Sequence, residues 1–312
     1  MGREVITSAQ NPKIKELLAL QEKGRLRREK GVFVVEGRRE LAHCLSAGFQ
    51  IRTLFICPEI CPNSVFPPVD SPLRSLAALD PTVFDGPPAS VPRVARPSGA
   101  VAGGTGGHGL RRDILETYPV IEVSRAVYEK VAYREGTEGV MAEVYAKERG
   151  LADIRLSERP LVIVLEAVEK PGNLGAVLRS ADAAGADAVL VCDPATDLYN
   201  PNLIRASIGS VFTRQVAVCT SEEAIAWLKS NGIRIYTAQL QDSSWYYETD
   251  MTGGTAIVMG TESTGLTDLW REAADAHIKI PMLGQLDSLN VSVSAAILLF
   301  EAVRQRNNLH TL

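Results

Sequence analysis

The 312-residue sequence has no apolar run approaching the ~20 residues that cross a bilayer. Its first residues, Met1-Gly-Arg-Glu-Val5, carry no apolar signal core. A membrane helix and export are therefore not expected, and a cytoplasmic location is. Histidine is scarce: His43, His108, His277 and His310 stand far apart and offer no ligand cluster, so no metal site is expected. Cysteine is scarce and odd in number (Cys44, Cys57, Cys61, Cys192, Cys219), which does not suit a disulfide framework in a chain this long. Cys57 and Cys61 lack a second Cys/His pair at zinc spacing, so all five read as structural thiols. Aromatic residues make up only 6% of the chain, too few to pick out base-stacking platforms. Positive charge is also short: 33 Lys and Arg face 37 Asp and Glu, a net −4 that argues mildly against nucleic acid.

Averages conceal local fields. Residues 1–40 hold ten basic side chains, Arg25, Arg27 and Arg28 among them, against six acidic ones, a local +4. A solvated helix face accounts for this as well as an RNA contact does. With 46% hydrophobic and 22% charged residues the chain is an ordinary globular protein, long enough for two domains.

The first half reads as a small α/β domain. Ile14, Leu17, Leu18 and Gln21 form a helical stripe after Asn11-Pro12, and Phe33-Val-Val35 a short strand. A helix over Arg38–Ala47 stops at Gly48, and Arg52–Cys57 forms a second strand. Val120–Val123 and Val140–Val144 are further strands, flanking a helix capped by Ser124. Between them, about 58–112, ten of the seventeen prolines fall between Pro58 and Pro97, ahead of Gly103-Gly-Thr-Gly-Gly-His-Gly109. That composition predicts a mobile insertion. The match of Gly104, Gly106 and Gly109 to a dinucleotide fingerprint is accidental, because a Pro-rich coil stands where the strand should be. The expected division is 1–146 for this domain, a charged link over 147–160, and a second domain over 161–312.

In the second domain strands and helices alternate, predicting a parallel sheet covered on both faces. Strands are expected at Leu161–Leu165, Ala188–Cys192, Ile233–Thr237, Thr255–Met259 and Ala276–Ile280. Helices are expected at Leu174–Ala184, Ser221–Lys229 and Asn290–Arg304. Three strands run into loops that combine glycine with polar groups, where open α/β sheets place ligands. They are Glu169-Lys-Pro-Gly-Asn173-Leu-Gly175, Gly260-Thr-Glu262-Ser-Thr-Gly265, and Ile280-Pro-Met282-Leu-Gly284 through Ser288-Leu289-Asn290. Singly each has a plain explanation, with Asn173 and Ser288 as helix caps, the glycines as turns and Arg179 as a surface ion pair. Three on one sheet point to one shared site.

Asn173-Leu-Gly-Ala-Val-Leu-Arg179, Gly260-Thr-Glu-Ser-Thr-Gly-Leu266, and Ile280-Pro-Met with Ser288-Leu-Asn-Val-Ser-Val-Ser-Ala295 appear in that order. With them, residues 160–306 resemble the SpoU/TrmH branch of the SPOUT methyltransferases, the ribose 2′-O-methylating branch. Thr261 stands where Asn or Ala is more usual. In the first half, Ser8–Lys13 and Phe33–Gly37 resemble the ribosomal-protein-like RNA-binding domain that precedes the catalytic domain in ribosomal RNA members.

The resemblance implies an α/β SPOUT domain with a parallel sheet and a deep trefoil knot, S-adenosylmethionine as cofactor, RNA (ribosomal above transfer RNA) as substrate, and a homodimer. It implies cofactor contacts at Gly260, Ile280 and Leu289, with Leu240 and Met282 beside them, and a catalytic set of Arg179, Asn173, Glu262, Ser288 and Asn290. The family's Arg is proposed as general base. Arginine stays protonated in proteins, so a role for Arg179 in stabilising negative charge fits its chemistry better. Two rivals remain: an RNA-binding protein on this fold without activity, and a dinucleotide-dependent oxidoreductase, which lacks a fingerprint after its first strand.

Overall fold

The computed structural model describes residues 3–61, 115, 117–133, 138–147, 149–261, 263–285 and 288–308. The expected insertion at 58–112 lies almost wholly outside them. Through the first half run β1 (Glu4–Ile6), α1 (Pro12–Glu22), α2 (Gly24–Lys30), β2 (Val32–Glu36), α3 (Arg38–Ser46), β3 (Ile51–Ile56), β4 (Val120–Val123), α4 (Arg125–Val131) and β5 (Val140–Tyr145). Local chemistry sets the helix ends. Asn11 accepts a hydrogen bond from the Lys13 N–H with Pro12 in the first turn, and Ser124 accepts one from Val127. Gly31 closes α2 in the left-handed conformation at φ 61°. The strands form one mixed sheet in the order β1-β4-β3-β5-β2, antiparallel where β5 pairs with β2 and β3.

The second half contains β6 (Leu161–Glu166), α5 (Pro171–Ala183), β7 (Ala188–Cys192), α6 (Pro201–Ser207), α7 (Ser210–Thr213), β8 (Val216–Cys219), α8 (Ser221–Ser230), β9 (Arg234–Ala238), β10 (Ser244–Trp245), β11 (Thr255–Met259), α9 (Asp268–Ala273), β12 (Ala276–Lys279) and α10 (Val291–Asn308). Seven parallel strands run in the order β10-β12-β9-β11-β6-β7-β8. Alternation sends Ile163, Leu165 and Ile257 into the core under α5 and α10, and Val162, Val164 and Val258 into the one under α8 and α9.

The two sheets meet through a shared aromatic core. Phe33 of β2 stacks on Tyr199 at 4.1 Å and 12°, and Phe49 meets Phe212 at 5.3 Å. The stretch 147–160, expected as a link, starts inside this contact. Lys147 and Arg149 lie over the Phe49 ring, and Arg149 donates to the carbonyls of Val211, Phe212 and Arg214. One member of the basic trio also belongs here. Arg27 is buried, its Nε 2.5 Å from Asp197 Oδ2 and its Nη1 bonded to the carbonyls of Leu20 and Gln21. The solvated face therefore holds Arg25 and Arg28 but not Arg27.

Candidate active site

Three chain segments converge beyond the carboxyl ends of β6, β11 and β12. At the end of β6, buried Glu166 accepts hydrogen bonds from the Thr267 N–H (3.0 Å) and hydroxyl (2.6 Å), tying the β6 exit to the far limb of the loop after β11. Ala167 then turns the chain at φ 49°, and Pro171 opens α5. The helix therefore begins three residues before the expected Leu174, because proline suits a position with no N–H to satisfy. Asn173 sits in this first turn and is not its cap.

The 260–265 loop folds on itself. Thr261 and Gly265 exchange backbone hydrogen bonds (3.1 and 3.2 Å), and the Thr261 hydroxyl meets that of Thr264 at 2.7 Å. A side chain at Gly260 would collide with the Gly265 carbonyl and approach Leu266 N at 2.6 Å. At the start of α10, Asn290 is the cap, accepting from the Ser292 N–H (3.0 Å) and hydroxyl (2.6 Å). Ser288 does not hold that position. The Asn290 amide donates to Asn173 Oδ1 at 3.1 Å, joining residues 117 apart in sequence.

An open cleft lies between these segments, with Val168, Glu169, Lys170, Asn173, Gly260 and Thr261 among its walls. Of the expected site residues, Asn173 and Gly260 line it and Asn290 is bonded to its wall. Ile280 packs partly into the core, Met282 is half-buried, and Leu240, Ser288 and Leu289 are exposed around the strand ends. Arg179 projects from α5 into solvent, with no hydrogen bond or ion pair among the described residues. Glu262 lies outside the described residues. Glu169, Lys170 and Thr261 were visible in the sequence only as loop members. That two charged side chains line the cleft depends on how Pro171 starts the helix beside them.

Among the described residues no group of His, Cys, Asp and Glu could hold a metal ion. At Gly260 the backbone of Gly265 and Leu266 passes so closely that no Cβ fits, so this wall of the cleft presents bare backbone, the kind of surface on which a cofactor can rest.

A family model described as the SpoU rRNA methylase family matches residues 160–300, and one described as an MRM3-like substrate binding domain matches 11–78. A 23S rRNA guanosine-2′-O-methyltransferase, RlmB of Vibrio cholerae, is 38% identical over 191 residues, covering 59% of this chain and 77% of the relative. The chain belongs to the SpoU rRNA methylase family. A crystal structure of an RNA 2′-O ribose methyltransferase matches it with a TM-score of 0.71 at 35% identity, over 97% of this chain and 99% of that one. The S-adenosylmethionine-bound rRNA methyltransferase from Sinorhizobium meliloti matches with a TM-score of 0.74 at 27% identity, over 96% and 97%.

For a SpoU methylase with this loop, Gly260→Ala is expected to weaken S-adenosylmethionine binding roughly tenfold or more, since overpacking against backbone costs about 1–3 kcal/mol. Calorimetric titration checks this, and unchanged affinity would mean that the loop opens without consequence.

Proposed function

We propose that this protein transfers a methyl group from S-adenosylmethionine to a ribose 2′-hydroxyl of ribosomal RNA. The observation that carries the reading is the Asn290–Asn173 hydrogen bond, which closes the helix starts after β6 and β12 around the cleft also lined by Gly260. When bound, the cofactor supplies an electrophilic methyl group on a sulfonium sulfur. We assign Gly260, Ile280 and Leu289, with Leu240 and Met282, to holding it.

The protein's own residues must bind and orient the ribose, exclude water and manage charge at the 2′-oxygen. Asn173, fixed by Asn290, is placed to orient the nucleotide, and we assign Ser288 and Glu262 to the same task. Arg179 stabilises the charge that develops on the oxygen and clamps the neighbouring phosphate, while that phosphate or Glu262 takes up the hydroxyl proton. Guanosine is the proposed target base, supported by the name of the RlmB relative. Mapping 2′-O-methyl groups on ribosomal RNA treated with the protein and labelled S-adenosylmethionine tests the reading. Cofactor binding without transfer to ribosomal RNA would defeat it.

The first domain, residues 1–146, is the proposed grip on RNA, with 147–160 joining it to the catalytic domain over 161–312. Charge reversal of exposed Arg25 and Arg28 is then expected to lower the slope of log affinity on log salt by roughly one for each phosphate no longer neutralised. Filter binding at several salt concentrations measures this, and an unchanged slope would put the footprint elsewhere.

A homodimer is proposed through α10. Val293 and Phe300 are 47% and 48% exposed on a helix whose Ala295, Leu298, Leu299 and Ala302 are already buried. The trefoil knot implied by the family belongs to the same proposal. No helix among the described residues is long and apolar enough to cross a membrane. A cytoplasmic location, where ribosomal RNA would be met, is proposed with the function.

A further inference from the structure

We infer that Trp245 and Tyr247 form a stacking platform for an unpaired base of the RNA substrate, with Lys279 beside it for the adjoining phosphate. The inference rests on the ribosomal RNA reading above and adds a site to it. β10 is the edge of the seven-stranded sheet, and Trp245 pairs in register with Lys279. The Lys279 ammonium lies 4.8 Å from the centroid of the Trp245 ring. The Tyr247 ring lies 6.4 Å from that of Trp245, at 15° to it, so two flat faces stand nearly parallel. Both side chains are exposed, by 37% and 48%. Tyr246 fixes the pair from behind, edge-on to Tyr247 at 5.2 Å and packed on the core.

The alternation of β12 decides which partner this surface suits. Ile278 faces the core under α10, so Lys279 and its neighbour Trp245 project from the opposite face of the sheet. The α10 surface proposed for self-association, with Val293 and Phe300, belongs to the helix that covers the other face. RNA is the remaining partner that the reaction requires, and its chemistry matches the site: a base has a π face, and the phosphate next to it pairs with an ammonium. Three inter-strand steps separate β10 from the strand that carries the chain into Gly260, about 14 Å. The platform would therefore take a base a few nucleotides from the methylated ribose. Stacking tolerates any base, so it would act as a grip that sets the reach along the strand.

Steady-state methylation of a ribosomal RNA fragment by wild type, Trp245→Ala, Trp245→Phe and Tyr247→Ala tests this. A fluorescence titration with single-stranded oligoadenylate accompanies it. Of the three tryptophans Trp245 is exposed, Trp227 is half-buried, and Trp270 is buried and bonded to Ser221, so a signal lost in Trp245→Phe belongs to Trp245. Trp245→Ala is expected to raise KM for RNA about tenfold or more, leaving kcat and KM for S-adenosylmethionine unchanged. Trp245→Phe should restore most of the affinity. Oligoadenylate should quench the wild-type fluorescence and leave that of Trp245→Phe unaffected. An unchanged KM for RNA together with no quenching overturns the inference. So does conversion of a dimer to a monomer by Trp245→Ala with RNA affinity intact, which would assign the surface to a second copy of the chain. If the wild type itself transfers no methyl group to RNA, the functional reading fails, and the quenching titration still decides the platform.

Discussion

Arg179→Ala is expected to lower the single-turnover rate of methyl transfer roughly 10²–10³-fold, the cost of removing one donor from a developing oxyanion. Folding and cofactor affinity should change little. Arg179 lies six residues beyond Asn173 on α5, about 9 Å along the helix at 1.5 Å per residue. The proposed role requires the guanidinium to swing from solvent back toward the cleft at the β6 exit, the direction in which helical side chains lean. The side chain is exposed and has no hydrogen bond or ion pair among the described residues, so its removal leaves no buried partner behind. Arg179→Lys should recover little of the rate, because an ammonium cannot reproduce a planar, two-pronged contact. Single-turnover kinetics with saturating S-adenosylmethionine, paired with cofactor titrations, measure both effects. Near-normal turnover in the alanine variant would leave Arg179 as an ordinary surface charge.

The catalytic half was legible because its strands are buried on both faces. Leu161–Leu165, Ala188–Cys192 and Ala256–Met259 are continuous apolar runs, and each lies within an observed strand. β8 and the helices α6 and α7 escaped notice. The apolar run of β8, Val216-Ala-Val-Cys219, is only four residues long, and Ile208 and Gly209, both at positive φ, part α6 from α7 so that each is too short for a helical stripe. The start of α6 was nonetheless readable: Asn200 caps it and Pro201 opens it, the signal that also marks α1. β10 exists only through pairing with β12, so nothing within its two residues announces a strand.

At the site, glycine and polar residues after buried strands marked the three loops. Which residue caps α10 was not visible, since Ser288 and Asn290 are both good caps. The geometry of the Ser292 bonds decides for Asn290. The stacked pair at Trp245 and Tyr247 was hidden for another reason. Two aromatics among few say nothing until an edge strand leaves them uncovered.

Arg27→Ala is expected to destabilise the contact between the two sheets by roughly 3–5 kcal/mol, the range for removing one partner of a buried ion pair. Arg25, Arg27 and Arg28 are alike in sequence. The difference comes from Asp197, 170 residues away, whose side chain is only 11% exposed where Arg27 meets it. Removing the guanidinium strips that carboxylate of its cation and the carbonyls of Leu20 and Gln21 of a donor. The charge itself is not what stabilises the joint, because desolvating two ions offsets much of their attraction. Arg27→Met combined with Asp197→Leu should therefore recover the part of the loss that comes from the unpaired carboxylate, but not the part from the carbonyls of Leu20 and Gln21 or from the Tyr199 N–H, which lose their partners in the double variant as well. Urea midpoints of the wild type, both single variants and the double variant give the coupling. Hydrogen exchange should show early opening at β2 and at the start of α6 in Arg27→Ala. Since Arg27 is buried against Asp197 and reaches no phosphate, the salt slope of RNA binding should not flatten in the double variant. A single variant as stable as wild type would mean that the aromatic core holds the sheets together by itself.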